Sequence, residues 1–235
     1  MEQSLSEKSY DYIREKLTSG DLPPGQRLVN RTLAEQIGVS VIPVREAIHR
    51  LASEGFVNHV PGAGAFVRKP DRQELDNMYV LRDALESCAA AEAARYITEE
   101  QLDELHEILG RALETLALIR KQKSGYSTKR QLDRWLDDEQ LFHERLIEAS
   151  RNPLLAKVVD EHRAISNVFE AQRNNPRLLT VEVAAETCDS KSALLQALSS
   201  RDADQARQTM SDQIQRGRRK VLKYLREQER SQRNT

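Results

Sequence analysis

The stretch LAEQIGVSVIPVREAIHRLASEGFVNHVPGAGAFV, residues 33–67, decides how the first part of this chain folds. Leu33, Ala34 and Ile37 fall on one helical face, and Gly38 follows, where a left-handed residue ends a helix without a steric penalty. A second apolar series, Val44, Ala47, Ile48 and Leu51, has the i, i+3, i+4, i+7 spacing of a helix packed on one side, with Ser40 placed as its cap. Two helices joined by Gly38, Val39 and Ser40 form the pattern of a helix-turn-helix. Beyond them, the runs 56–60 and 65–68 are strand-like and flank Pro61, Gly62, Ala63 and Gly64, which predicts a β-hairpin wing.

Working outward, Tyr10, Ile13 and Leu17 predict a preceding helix, and Asn30 is expected to cap the one that carries Leu33. After residue 70 the pattern is helical to the end, with breaks near 121–129, 152–153, 174–177 and 199–201. Asp71 with Glu74 and Thr98 with Gln101 have the spacing of capping boxes. Leu102, Leu105, Leu109, Ala112, Leu116 and Ile119 make the stripe of a helix packed in a bundle. No internal repeat is present. The expected fold is mainly α: a winged helix-turn-helix over 1–70, then an all-α antiparallel helical bundle over 71–235.

Composition narrows the function classes. The 235 residues are 31% charged and 39% hydrophobic, enough to bury one large or two modest cores. No run of about 18 apolar residues occurs and the first twenty residues lack the apolar block of a signal peptide, so no membrane association is expected and the cytoplasm is the expected location. Cys88 and Cys188 stand apart, which argues against a disulfide framework and a thiolate zinc site. The net charge of −1 supplies no global attraction for nucleic acid, so DNA binding requires a local arrangement of cations.

On the helix after Ser40, Val41, Arg45 and His49 recur every fourth residue and leave the apolar stripe free, with Ile42 beside them. Such a face suits the major groove, where a guanidinium bonds a guanine edge and an aliphatic side chain touches a thymine methyl. The segments SGDLPPGQRL, LAEQIGVS, PVREAIHRLASEGFV and PGAGAFV stand in register over residues 17–67, and this part of the chain resembles the winged helix-turn-helix of GntR-family transcription regulators. The resemblance implies that Arg31 and Arg45 contact operator DNA and that Gly62 and Gly64 form a wing tip near the minor groove. It also exposes a departure: the family usually carries an arginine directly after the capping residue, and this chain has Val41 followed by Ile42. The candidate DNA-contacting residues are Arg31, Ser40, Val41, Ile42, Arg45, His49, Gly62 and Gly64.

In the second half, ionisable or amide groups interrupt apolar stripes on five predicted helices: Arg82, the pair Glu139 and His143, His162, Lys191 and Gln213. Polar groups on inward faces are costly unless paired, and their recurrence points to a polar cavity in the bundle. LRDALE at 81–86, FHERLIEASRNPLL at 142–155 and ALLQAL at 193–198 resemble the FCD domain of the FadR branch of that family. The resemblance implies a bundle that dimerises and binds a small organic acid, with a metal held in many members by a carboxylate or Asn, a His four residues on and two later His. Glu139 and His143 match the first two positions, but Lys191 and Gln213 stand at the last two. An ammonium cannot ligate a metal and an amide does so poorly. The expectation is therefore no cofactor, with Glu139 and His143 the residual candidates for a divalent metal, His162 a possible rescuing ligand, and Arg82 and Lys191, with His143, holding an anionic effector or pairing with Glu139 in its absence. The candidate effector-binding residues are Arg82, Glu139, His143, His162, Lys191 and Gln213.

From residue 216 the tail carries eight Lys or Arg against two Glu, read as a solvated helix end that complements the macrodipole or as a nonspecific phosphate contact. The expected function is a ligand-responsive regulator binding a pseudo-palindromic operator as a homodimer. The alternatives are a helical-bundle enzyme using Glu139 and His143 beside a vestigial DNA-binding module, and a bundle that only binds other proteins. No nucleophile motif, P-loop or dinucleotide fingerprint supports the enzyme.

Overall fold

The computed structural model describes residues 3–69, 71–163 and 175–233, with side chains described at all of these except 160–163, 228, 229 and 231–233. The chain divides into two compact units near residue 70. In the first, α1 (Leu5–Ser19) is capped by the Ser4 hydroxyl, which accepts from the Glu7 N–H. β1 (Arg27–Leu28), α2 (Asn30–Ile37) and α3 (Val41–Ser53) follow, then β2 (Val57–Val60) and β3 (Gly64–Val67). Gly38 ends α2 at φ +77°, donating its N–H to Ala34. The glycine is needed there because a Cβ at positive φ would be strained.

The core of this unit is the inner stripe that the periodicity marks. Val44, Ala47, Ile48 and Leu51 from α3 lie with Leu33, Ala34 and Ile37 from α2, Tyr10 and Ile13 from α1, and Val57, Ala65 and Val67 from the wing. Burying each large aliphatic side chain stabilises the unit by about 1.5–3 kcal/mol. The expected hairpin is present as β2 and β3, and β1 extends it to a three-stranded antiparallel sheet in the order β1-β3-β2, with Leu28 opposite Ala65 and His59 opposite Ala65 on the other edge. One expectation needs correction. Asn30 is the first residue of α2; Val29 holds the cap position without a side-chain bond.

The second unit consists, among the described residues, of α4 (Arg72–Tyr96), α5 (Glu99–Arg120), α6 (Lys129–Ala149), α7 (Pro153–Arg163), a short 3-10 turn (Pro176–Leu178), α8 (Val181–Ser199) and α9 (Ala203–Arg233). Capping boxes open α4, α5 and α6 at Asp71, Thr98 and Thr128. The third had not been anticipated, and it starts α6 ahead of Gln131. In α4, Ala89, Ala90, Ala91, Ala93 and Ala94 are buried, and small side chains let neighbouring helices approach closely.

Cross-helix bonds give the directions. Asp76, Asp83 and the Ala94 carbonyl in α4 meet Arg218, Gln215 and Arg201 in that order, so α9 runs antiparallel to α4. Glu104, Arg111 and Glu114 in α5 meet Arg145, Asp138 and Arg134, so α6 runs antiparallel to α5. α5 also packs on α8, and α4 on α6 and α8, which brings α4, α6, α8 and α9 around one interior. No described helix is long and apolar enough to cross a membrane.

Candidate nucleic-acid interface and effector site

The apolar stripe of α3 faces the core, and this forces the opposite face outward. Val41 and Ile42 are 38% and 68% exposed, and Arg45 and His49 are exposed beyond them. Ser40 occupies the cap position in extended geometry, but its hydroxyl makes no capping hydrogen bond. Arg31 is exposed on the first turn of α2. At the wing tip, Gly62 and Gly64 have φ of +75° and +111°, and the Arg27 guanidinium crosses Gly64 so closely that an added Cβ would meet its Nε at 3.4 Å.

A groove of about 230 Å³ opens between α3, the start of α2 and the sheet. Its lining contains Arg27, Arg45, His49 and His59 and no acidic residue. The rings of His49 and His59 stack with centroids 4.9 Å apart. Among the described residues, the side chains of Arg27, Arg31 and Arg45 make no ion pair or hydrogen bond. Arg50, on the same helix, is spent otherwise: it lies 3.1 Å from Glu7 and from Glu54, and 3.7 Å from the Tyr10 ring centroid. The Tyr10 hydroxyl donates to Glu54 at 2.7 Å, and burial together with that carboxylate pushes its pKa up to about 12.

Arg27 and His59 join this surface without having been singled out in the sequence. The only signal for Arg27 was its place before the buried Leu28, and a two-residue strand is too short to show alternation.

In the helical unit, the structure brings four of the five polar stripe positions around the interior of α4, α6, α8 and α9. His162 lies outside the described side chains. Arg82 on α4 donates from Nε to Glu86 Oε1 at 2.8 Å. Glu86, only 2% exposed, lies 2.8 Å from His143 Nδ1 through its other oxygen. Nδ1 makes no hydrogen bond of good geometry there. Lys191 on α8 is 1% exposed, 3.2 Å from Glu139 Oε1 and 3.5 Å from the Phe142 ring centroid, and its Nζ also lacks a hydrogen bond of good geometry. The Gln213 Oε1 on α9 is buried without a partner.

The charge states follow from these neighbours. Burial alone would raise the Glu86 carboxyl, but Arg82 and His143 hold it well below the usual carboxylate range. Burial pushes His143 below its ordinary 6.5, with Glu86 opposing, so the imidazole is neutral at neutral pH. Burial likewise lowers Lys191, with Glu139 opposing. Glu86 joins this interior without having been singled out in the sequence: its i,i+4 spacing from Arg82 is a local signal, but its approach to His143 depends on packing. Among the described residues, no three His, Cys, Asp or Glu side chains converge as a metal-ligand set.

Comparison with known proteins places these two halves. The family model for bacterial regulatory proteins of the gntR family matches residues 5–67, and the FCD domain model matches residues 77–216. The chain is 30% identical over 158 residues to the HTH-type transcriptional regulator McbR of Escherichia coli strain K12, covering 67% of this chain and 66% of that protein. It is 33% identical over 136 residues to the Nta operon transcriptional regulator of Aminobacter aminovorans, covering 58% and 59%. The matches thus span a little less than two thirds of these relatives. The solved structure of E. coli McbR/YncC has the same fold, with a TM-score of 0.76 at 23% identity over 95% of this chain and 100% of that one. With a gntR-type reading domain followed by an FCD domain that fills more than half its length, the chain belongs to the gntR family of bacterial regulatory proteins.

Proposed function

We propose that this chain is a cytoplasmic, DNA-binding transcription regulator that acts as a homodimer on a pseudo-palindromic operator, with a small anionic effector in the helical unit adjusting its operator affinity. The observation that carries the DNA-binding reading is the groove beside α3, lined by two arginines and two histidines, with Arg27, Arg31 and Arg45 free of internal partners. Arginines without intramolecular partners are available to phosphates and base edges, and a major groove admits a helix such as α3. Ser40, Val41, Ile42, Arg45 and His49 are assigned to that groove, Arg31 to the adjoining backbone, and Gly62 and Gly64 to the minor groove. Two copies bound to one duplex would read half-sites a helical turn apart.

The effector reading is supported by buried Glu86, His143 and Lys191 with half-buried Arg82, Glu139 and Gln213 on four helices that pack together, a concentration of charge that a purely structural core does not need. The enzyme reading fares worse. Its two residues are engaged separately, Glu139 with Lys191 and His143 with Glu86, and the named relatives are regulators.

The test is fluorescence anisotropy with duplexes enriched by the protein from a random library. Arg45→Ala is expected to weaken the enriched duplex by about 1–3 kcal/mol and to relax specificity at one position. Equal affinity for enriched and random duplexes, unchanged by Arg45→Ala, would overturn the reading.

A further inference from the structure

The metal that the family resemblance implies does not fit this interior. Lys191 offers an ammonium, which has no lone pair, and Glu139 is turned onto that ammonium. Among the described residues no third ligand converges with them. A divalent ion placed beside Lys191 would also meet a like charge in a poorly screened site.

We propose that Lys191 is the resident cation of this site, that Glu139 is its internal counter-ion, and that a carboxylate ligand binds without metal by taking the place of Glu139 on the ammonium. The proposal rests on the effector reading of the same site and names the chemistry of its ligand.

The geometry favours exchange over a sealed pair. Lys191 is 1% exposed, whereas the Glu139 side chain is 12% exposed, so the carboxylate is the partner with a route to solvent. Glu139 Oε1 stands 3.2 Å from Nζ without completing a hydrogen bond, and the Phe142 face covers another side of the ammonium. A buried donor left in that condition is costly, and a free carboxylate with four lone-pair directions serves it better than a tethered one. Replacing one carboxylate by another leaves the charge of the interior unchanged, so no second ion has to be stripped of water alone. Glu139 also lies within electrostatic reach of Arg82, which offers it a second cation once Lys191 is taken. The buried, unpartnered Gln213 Oε1 is an acceptor that a hydroxyl or amino group on the ligand would satisfy.

An internal competitor lowers apparent affinity by the fraction of time it occupies the site, and removing it restores that factor. The full chain, dialysed against chelator and assayed for metal, is titrated with sodium acetate, pyruvate, malate and citrate. Binding is read by calorimetry and by thermal shift against sodium chloride of equal ionic strength. The expected result is a metal-free protein to which at least one of these acids binds, about tenfold more tightly in Glu139→Gln. Glu139→Asp, which keeps the charge but draws it back, is expected to fall between them. The double variant Glu139→Gln/Lys191→Met removes both charges together and is expected to lose the response. Stoichiometric zinc, nickel or manganese, acid binding that needs added metal, Glu139→Gln binding no tighter than the natural chain, or silence of the whole panel on both proteins would each overturn the proposal. Operator binding by the same samples without acid reports on the regulator reading separately: acid exchange with no sequence-selective DNA binding sinks that reading alone.

Discussion

Arg45 and Arg82 are the same residue in opposite situations, and the contrast separates the two halves of this protein. Arg45 is exposed on α3 and makes no internal bond, so folding leaves its charge available to a partner. Arg82 is held by Glu86 on its own helix, with the Glu86 carboxylate buried and His143 against its far oxygen. A reading surface needs unspent cations in water, whereas an interior tolerates charges only when each is answered by another.

The comparison is broken most forcefully by removing the answering charge. Glu86→Ala is expected to destabilise the helical unit by about 3–5 kcal/mol, because it removes the buried carboxylate that answers both Arg82 and His143. Urea unfolding followed by circular dichroism measures this. On the other side, Arg45→Ala is expected to change stability by no more than about 0.5 kcal/mol in the same experiment, while weakening DNA as described above. Arg50→Ala is expected to behave conversely, lowering the stability of the reading unit by about 1 kcal/mol through its contacts with Glu7, Glu54 and Tyr10. A variant series in which Arg45 and Arg50 behaved alike would dissolve the distinction.

The interior has its own pH signature. His143 has a folded pKa below its ordinary value, so the stability that goes with its neutral form is full above 6.5 and is lost as pH falls below that toward the folded value. Glu86 is held low as well, and its contribution disappears at more acid pH, below the ordinary 4.5. His143→Gln is expected to flatten the first of these losses and to shrink the second in part, because Arg82 alone then holds Glu86 low, as read from urea midpoints measured through the acid range. A slope between neutral pH and pH 5 that the substitution leaves intact would assign the acid sensitivity elsewhere.

The smallest expected effect sharpens the reading of Val41 and Ile42. Both are exposed aliphatic side chains at the start of the reading helix, and they are proposed to touch thymine methyls. Replacing the contacted thymine by uracil is expected to weaken the enriched duplex by about 0.8 kcal/mol per methyl lost. No loss at any thymine would leave these two side chains without a reading role.

The helices were legible because each carries its own evidence: apolar spacing, a capping pair, or a glycine at the stop. Asp71 with Glu74 and Thr98 with Gln101 are found as reciprocal caps where their spacing marked them. Asn30 misled because Asn is a favoured cap, yet the helix begins on it and leaves Val29 to hold the end position. β1 escaped notice because Arg27 and Leu28 are strand only by virtue of β3, to which they pair. Residue identity likewise underlies the proposal of a metal-free site, since the Lys191 ammonium offers no lone pair.

Local order, the inward and outward faces of each helix, and the chemical types available at each stripe were therefore determined by the chain alone, because they depend on neighbours three or four residues away. The tertiary structure alone decided that Glu86 would answer His143 across 57 positions, that Lys191 would rest on Phe142 and meet Glu139, and that Arg27 and His59 would join Arg45 along one groove. Those choices follow from how separate elements pack, and long-range packing selects partners that no local spacing can name.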